Sequence, residues 1–269
     1  MGVKDKEEEP LISAMKRQLA RAGLRKWLYG MIGLILIFLA YRWLTKKNEY
    51  TEADLFRMGY RGELVLNNVG RPNLSLAAKN PIGNTVKLDV YMEAQCPDTS
   101  RFVHKQLMKA WEKLGTSGRV EWTIIPFGKA RCTEKGGDFE CQCQHGSNEC
   151  ILNQLMNCVI EKTVYPEKFI PIVNCIQGER NLESATDKCL TEKEGLDQKL
   201  MKECASGSKG RRLLALAGAR TVALRPPLTF VPWIVIDGER VADALYDLTD
   251  NLCKKLQPAP EGCAEYTRK

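Results

Sequence analysis

Residues 86–99 read VKLDVYMEAQCPDT, and this stretch decides the fold. Val86, Leu88 and Val90 alternate with Lys87 and Asp89 before the run turns apolar at Tyr91 and Met92, which is the pattern of a strand. A few residues on, Cys96 stands directly before Pro97 and Asp98, residue types that start helices. Phe102, Val103, Leu107, Met108, Trp111 and Leu114 then fall on one helical face. A cysteine at such a junction meets unpaired backbone N–H groups and the positive end of the helix dipole, which favour thiolate over thiol. Cys96 is therefore the candidate nucleophile. From spacing alone, a structural cysteine that happens to precede a helix fits equally well.

Working outward, residues 119–126 (RVEWTIIP) make a second strand. Residues from about 148 to 218 carry helical periodicities broken by Pro166, Pro171, Gly178 and Gly195. After Pro226 and Pro227, the run Pro232, Trp233, Ile234, Val235, Ile236 leads into Asp237-Gly238-Glu239, a strand entering a tight hairpin. A last helical segment covers about 243–256. Strand, cysteine-led helix, strand, helical block, hairpin and helix is the order of an α/β, thioredoxin-like domain with a disulfide-rich helical insertion. Other α/β folds share this coarse order.

Charge and cysteine content divide the chain. Residues 1–47 hold 10 Lys or Arg against 4 Asp or Glu, so nearly all of the net charge of +7 lies in the N-terminal tail. The remainder is close to neutral, which removes the main support for a nucleic-acid-binding face. No residue of 27–41 (WLYGMIGLILIFLAY) is charged, and at about 1.5 Å per residue the run makes roughly 22 Å of helix. Snorkelling of Lys26 and Arg42 would extend this short apolar core. We read residues 1–26 as a cytosolic basic tail, 27–44 as a transmembrane signal anchor and 45–84 as a lumenal stalk. The positive-inside rule then places the main domain across the membrane, as a single-pass type II protein. Secretion after signal cleavage is the alternative, against which stands the lack of a small-residue cleavage site. None of the 11 cysteines precedes Cys96, and Asn73-Leu74-Ser75 is a glycosylation sequon on the lumenal side, both in keeping with an oxidising lumen.

Three landmarks then stand in order: Tyr91-Met92-Glu93-Ala94-Gln95-Cys96-Pro97, Cys143-Gln144-His145-Gly146-Ser147-Asn148-Glu149-Cys150, and Val231-Pro232-Trp233-Ile234-Val235-Ile236-Asp237-Gly238. Together they resemble the gamma-interferon-inducible lysosomal thiol reductase family over residues 85–263, with residues 264–269 left as a C-terminal tail. The resemblance implies thiol-disulfide exchange on disulfide-containing protein substrates, and an endosomal or lysosomal lumen, although a Golgi or endoplasmic reticulum membrane suits the short anchor equally. It also implies a C-x-x-C active site. Cys96 matches its first cysteine, but the second position is Thr99, which cannot resolve a mixed disulfide. Three outcomes stay open: a monothiol reductase served by an external thiol such as glutathione, an isomerase, or a client-binding, chaperone-like protein without turnover. In each of them the Thr99 hydroxyl is placed to hydrogen-bond Cys96. By the same resemblance Val231 and Pro232 face the nucleophile, with Pro232 in the cis form, and meet the substrate.

Within the matching stretch, Cys143, Cys150, Cys158, Cys175, Cys189, Cys204, Cys253 and Cys263 form an even set of eight, expected as four disulfides. Cys132 and Cys141 look like an added local pair, which leaves Cys96 as the odd eleventh cysteine. The connectivity does not follow from the sequence. Zinc is disfavoured, because Cys141 and Cys143 stand too close for the usual ligand spacing and the chain has only 2 His. His145 is expected to be structural or capping. No metal and no bound cofactor are expected, and the oligomeric state is open.

Overall fold

The computed structural model describes residues 31, 33–36, 38, 83–191 and 195–266. The chain divides into two units, Met1–Thr51 and Glu52–Lys269. In the first, Met31, residues 33–36 and Phe38 are helical. No helix among the described residues is long and apolar enough to cross a membrane. The rest of the proposed 27–44 span, the tail before it, almost all of the stalk, Asn73 and the last residues of the C-terminal tail lie outside the described residues.

The second unit is built on a four-stranded sheet in the order β2-β1-β5-β6, formed by β1 (Val86–Met92), β2 (Val120–Pro126), β5 (Trp233–Ile236) and β6 (Glu239–Arg240). β1 and β2 are parallel with Val86 opposite Val120, and β5 runs antiparallel to β1 with Tyr91 opposite Trp233. Between β1 and β2, helix α1 (Pro97–Phe102) passes through a π-helical turn (Val103–Leu107) into α2 (Met108–Leu114). The insertion consists of α3 (Ser147–Thr163), α4 (Pro166–Ile176), α5 (Leu182–Cys189), α6 (Gln198–Ser206) and α7 (Ser208–Val222), and α8 (Leu248–Lys255) follows the sheet. This is a thioredoxin-like α/β arrangement carrying a helical insertion.

Both faces of the sheet are covered, as a parallel pair requires. Val86, Leu88, Val90 and Met92 pack in one core with Phe102, Leu107, Leu155, Ile170 and Leu252. Tyr91, Ile125, Trp233 and Val235 face the other way, onto Leu214 and Ala217 of α7. One face of β1 therefore feeds the first core, while on the other face Tyr91 joins the second core beyond the polar Lys87 and Asp89.

Three details differ from the sequence expectation. Residues 131–142 form a separate hairpin of β3 (Arg131–Lys135) and β4 (Asp138–Gln142), turning at Gly136 and Gly137 with φ of 61° and 81°. The charged residues at Arg131, Glu134, Lys135 and Glu140 hide the strand alternation. Pro171 lies inside α4 instead of breaking it, because the buried side chains of Phe169, Ile170, Ile172, Val173 and Ile176 offset one lost hydrogen bond. The last helical segment is divided into a short 3-10 turn (Asp243–Leu245) and α8.

Candidate active site

β1 ends at Met92, and after three loop residues Cys96 takes the N-cap position of α1 with extended backbone, φ −71° and ψ 125°, followed by Pro97 in the first turn. The carbonyl of Cys96 accepts hydrogen bonds from the N–H and the hydroxyl of Ser100 at 2.9 and 3.1 Å. The sulfur faces the chain segment before β5. Its Sγ lies 4.0 Å from the carbonyl oxygen of Val231, and the Val231-Pro232 bond is cis. The structure thus brings together Cys96, Val231 and Pro232, 135 residues apart in sequence. Cys96 is 9% exposed.

The cysteines pair as Cys132–Cys141, Cys143–Cys150, Cys158–Cys204, Cys175–Cys189 and Cys253–Cys263. Cys96 alone keeps a free thiol. With Cys141, Cys143 and Cys150 in disulfides, none of them is a thiolate for zinc.

Thr99, one turn into α1, is 0% exposed, and its hydroxyl has no hydrogen-bond partner. This corrects the expectation that it bonds the Cys96 sulfur. The helix turns Thr99 into the protein interior, and Ser100 takes the carbonyl of Cys96 instead.

Sequence reasoning missed what holds the loop that carries Cys96. Asn153 of α3 accepts the N–H of Ala94 at 2.9 Å. Gln177, directly after α4 and 3% exposed, donates from Nε2 to the carbonyls of Glu93 and Ala94 at 3.0 and 2.9 Å and to the Ser100 hydroxyl at 3.1 Å. The N–H of Gly178 donates to the same Ala94 carbonyl at 2.9 Å. Gln95 Nε2 in turn donates to the carbonyls of Glu179 and Arg180. The helical insertion therefore fastens residues 93–96, and no sequence signal marks Gln177 for that role.

A further group surrounds Glu93. His145 Nδ1 lies 2.5 Å from Glu149 Oε2 and 3.6 Å from Glu93 Oε1. Glu149, in the first turn of α3, also accepts the main-chain N–H of His145 at 3.2 Å, in the manner of a capping box shifted by one residue. The other histidine, His104, pairs through Nδ1 with Asn174 Oδ1 at 2.8 Å and takes no part at Cys96.

Residues 87–193 match the model of the gamma interferon inducible lysosomal thiol reductase (GILT) family. A GILT-like protein of Caenorhabditis elegans is 50% identical over 261 residues, which is 97% of this chain and 78% of that protein. The chain belongs to the GILT family. The gamma-interferon-inducible lysosomal thiol reductase of Carassius auratus is also 31% identical over 186 residues, 66% of this chain and 72% of its own. Among solved structures, DsbA of Chlamydia trachomatis is similar with a TM-score of 0.48 and 14% identity, over 64% of this chain and 85% of its own. In this GILT-family chain the second and third sequence landmarks take different places. His145 and Glu149 gather beside Glu93, whereas the Val231 carbonyl, before the cis bond to Pro232, faces the sulfur.

Proposed function

We propose that this GILT-family protein is a thiol-disulfide oxidoreductase that acts on protein disulfides through Cys96 alone. The observation that carries this reading is the one unpaired thiol of the chain, at a helix start, 4.0 Å from the Val231 carbonyl. The Cys96 thiolate attacks one sulfur of a client disulfide; the client S–S bond breaks, a mixed disulfide forms, and the other client sulfur leaves as a thiolate. Thr99 carries no thiol, so resolution comes from outside the site. A small thiol such as glutathione attacks the Cys96 sulfur and releases the reduced client, and a second frees Cys96 with formation of oxidised glutathione. When a client cysteine attacks the client sulfur of the adduct instead, the disulfide is isomerised with no net redox change.

The same reading places the domain in the lumen of the endomembrane system, anchored by residues 27–44. Its support is five disulfides in the domain, the uncharged apolar run and the excess of Lys and Arg before it. Asn73 is then open to glycosylation.

Insulin-disulfide reduction, at acidic and neutral pH and with or without glutathione, tests the chemistry. Turnover that requires glutathione and disappears in Cys96→Ser supports it; activity that survives Cys96→Ser overturns it. A second reading, a client-binding protein without turnover, is favoured by the threonine at position 99. Stable binding of a reduced client without turnover under any of these conditions would select it.

A further inference from the structure

The strongest feature outside the thiol itself is the cluster of Glu93, His145 and Glu149. Glu93 and Glu149 are 1% and 0% exposed, and the His145 side chain is 33% exposed. The three groups offer atoms that all lie within 4.8 Å of one another. The second oxygen of each carboxyl is taken by main chain, Glu149 Oε1 by the N–H of His145 at 3.2 Å and Glu93 Oε2 by the N–H of Lys129 at 3.0 Å. Gly128 presses on Glu93 with φ +62°, so closely that a side-chain carbon there would overlap the carboxyl. The loop after β2 is thus shaped around this one acid.

Fully deprotonated, the cluster carries two negative charges on carboxyls that are themselves buried, a state that burial penalises. Two added protons make it neutral, as an imidazolium, one carboxylate and one carboxylic acid. Burial first, then the charge of Glu149, hold the Glu93 carboxyl above its ordinary value of 4.5, against the pull of the Lys129 N–H and of the His145 and Lys129 charges. A divalent ion would also neutralise the charge. However, two atoms bound tetrahedrally to zinc at about 2.0 to 2.1 Å stand about 3.3 Å apart, and His145 Nδ1 and Glu149 Oε2, 2.5 Å apart, are placed as hydrogen-bond partners.

We propose that Glu93, His145 and Glu149 form one proton-sharing clamp that positions the Cys96 loop against the loop closed by Cys143 and Cys150. The clamp is tight while neutral and loosens when a lost proton leaves net negative charge in the interior. These are positioning residues, and the inference rests on Cys96 as the reacting thiol. Glu93 lies three residues before it in the loop that Gln177 and Asn153 also fasten.

The sign of the linkage is fixed by the upward direction at Glu93. Its contribution to stability is complete below the unfolded value of 4.5 and is lost as pH rises through the folded value. Thermal unfolding of the full chain between pH 4 and 8 provides the test. The wild type should lose several degrees of midpoint over this range relative to Glu93→Gln, whose amide cannot ionise. The rate of Cys96 with a small aromatic disulfide should agree in the two proteins at acid pH and diverge severalfold by pH 7.5. Parallel midpoint curves would overturn the proposal, as would one equivalent of tightly bound zinc in the purified protein. Should Glu93→Gln fail to fold, the Glu93 carboxyl is titrated in the wild type by infrared or carbon-13 spectroscopy, and a value at or below 4.5 overturns the proposal. The unfolding measurement does not depend on turnover, so a protein that reduces no client leaves this test intact.

Discussion

The sulfur of Cys96 stands 4.0 Å from the carbonyl oxygen of Val231, across 135 residues of chain. The other ten cysteines are tied in five disulfides. Titration of the denatured, unreduced protein should therefore find one thiol per chain, and none in Cys96→Ser. Mass spectrometry of an alkylated digest checks this; a second labelled cysteine would contradict the pairing.

Thr99 is buried with an unpartnered hydroxyl. Leaving such a group unsatisfied costs about 1 to 3 kcal/mol. Thr99→Val, nearly the same shape, should hold or raise stability by about 1 kcal/mol in denaturant titrations and leave the Cys96 exchange rate within about twofold. A large loss of rate would show that the hydroxyl acts in exchange. Thr99→Cys is expected to release one reduced client per chain without glutathione, leaving a disulfide between Cys96 and position 99 that an added thiol must reduce before the next turnover.

Gln177 satisfies two carbonyls of the loop that ends in Cys96. Gln177→Ala leaves them buried without this donor, at a cost of about 1 to 3 kcal/mol. Because the loop carries Cys96, the proposed nucleophile, exchange should slow more than in a variant of equal stability loss elsewhere in the core, such as Leu252→Ala. Equal slowing in the two would reduce Gln177 to a packing residue.

The bridges differ in what they restrain. Cys158–Cys204 spans 46 residues and joins α3 to α6, whereas Cys132–Cys141 spans 9 across one hairpin. Chain-entropy arguments give about 4 kcal/mol for the first and about 2.5 kcal/mol for the second. Replacing each pair by alanines and comparing denaturant midpoints should preserve that order, and the buried Cys158 adds a cavity cost.

At acid pH a second carboxyl opposes Glu93. Hydrogen bonds from Lys188 at 2.9 Å and Ser184 at 2.8 Å hold the Glu179 carboxyl below its ordinary value of 4.5. Its contribution is present above 4.5 and lost as pH falls through the folded value, the reverse of Glu93. Glu179→Gln should therefore weaken the loss of stability on acidification below pH 4.5, seen when the thermal series is carried on below pH 4, with little change above pH 6.

What could be read in the sequence was whatever local chemistry determines. Alternation in residues 86–92 and the Cys96-Pro97 junction were visible because strand period and helix starts are short-range signals. The β3–β4 hairpin stayed hidden, since its strands are short and charged, although Gly136-Gly137 marked its turn. The Glu93, His145 and Glu149 cluster and the role of Gln177 were beyond reach, because each depends on how the insertion folds back over β1. No spacing along the chain encodes that contact.

The disulfide pattern has a consequence for the order of synthesis. Four of the five bridges join cysteines no more than 14 residues apart, and short loops close early and at small entropic cost. Cys96 emerges first, and the next cysteine, Cys132, follows 36 residues later. In four bridges the second cysteine follows the first within 14 residues of synthesis, whereas Cys158 waits 46 residues for Cys204 and Cys96, the earliest sulfur, meets no partner at all.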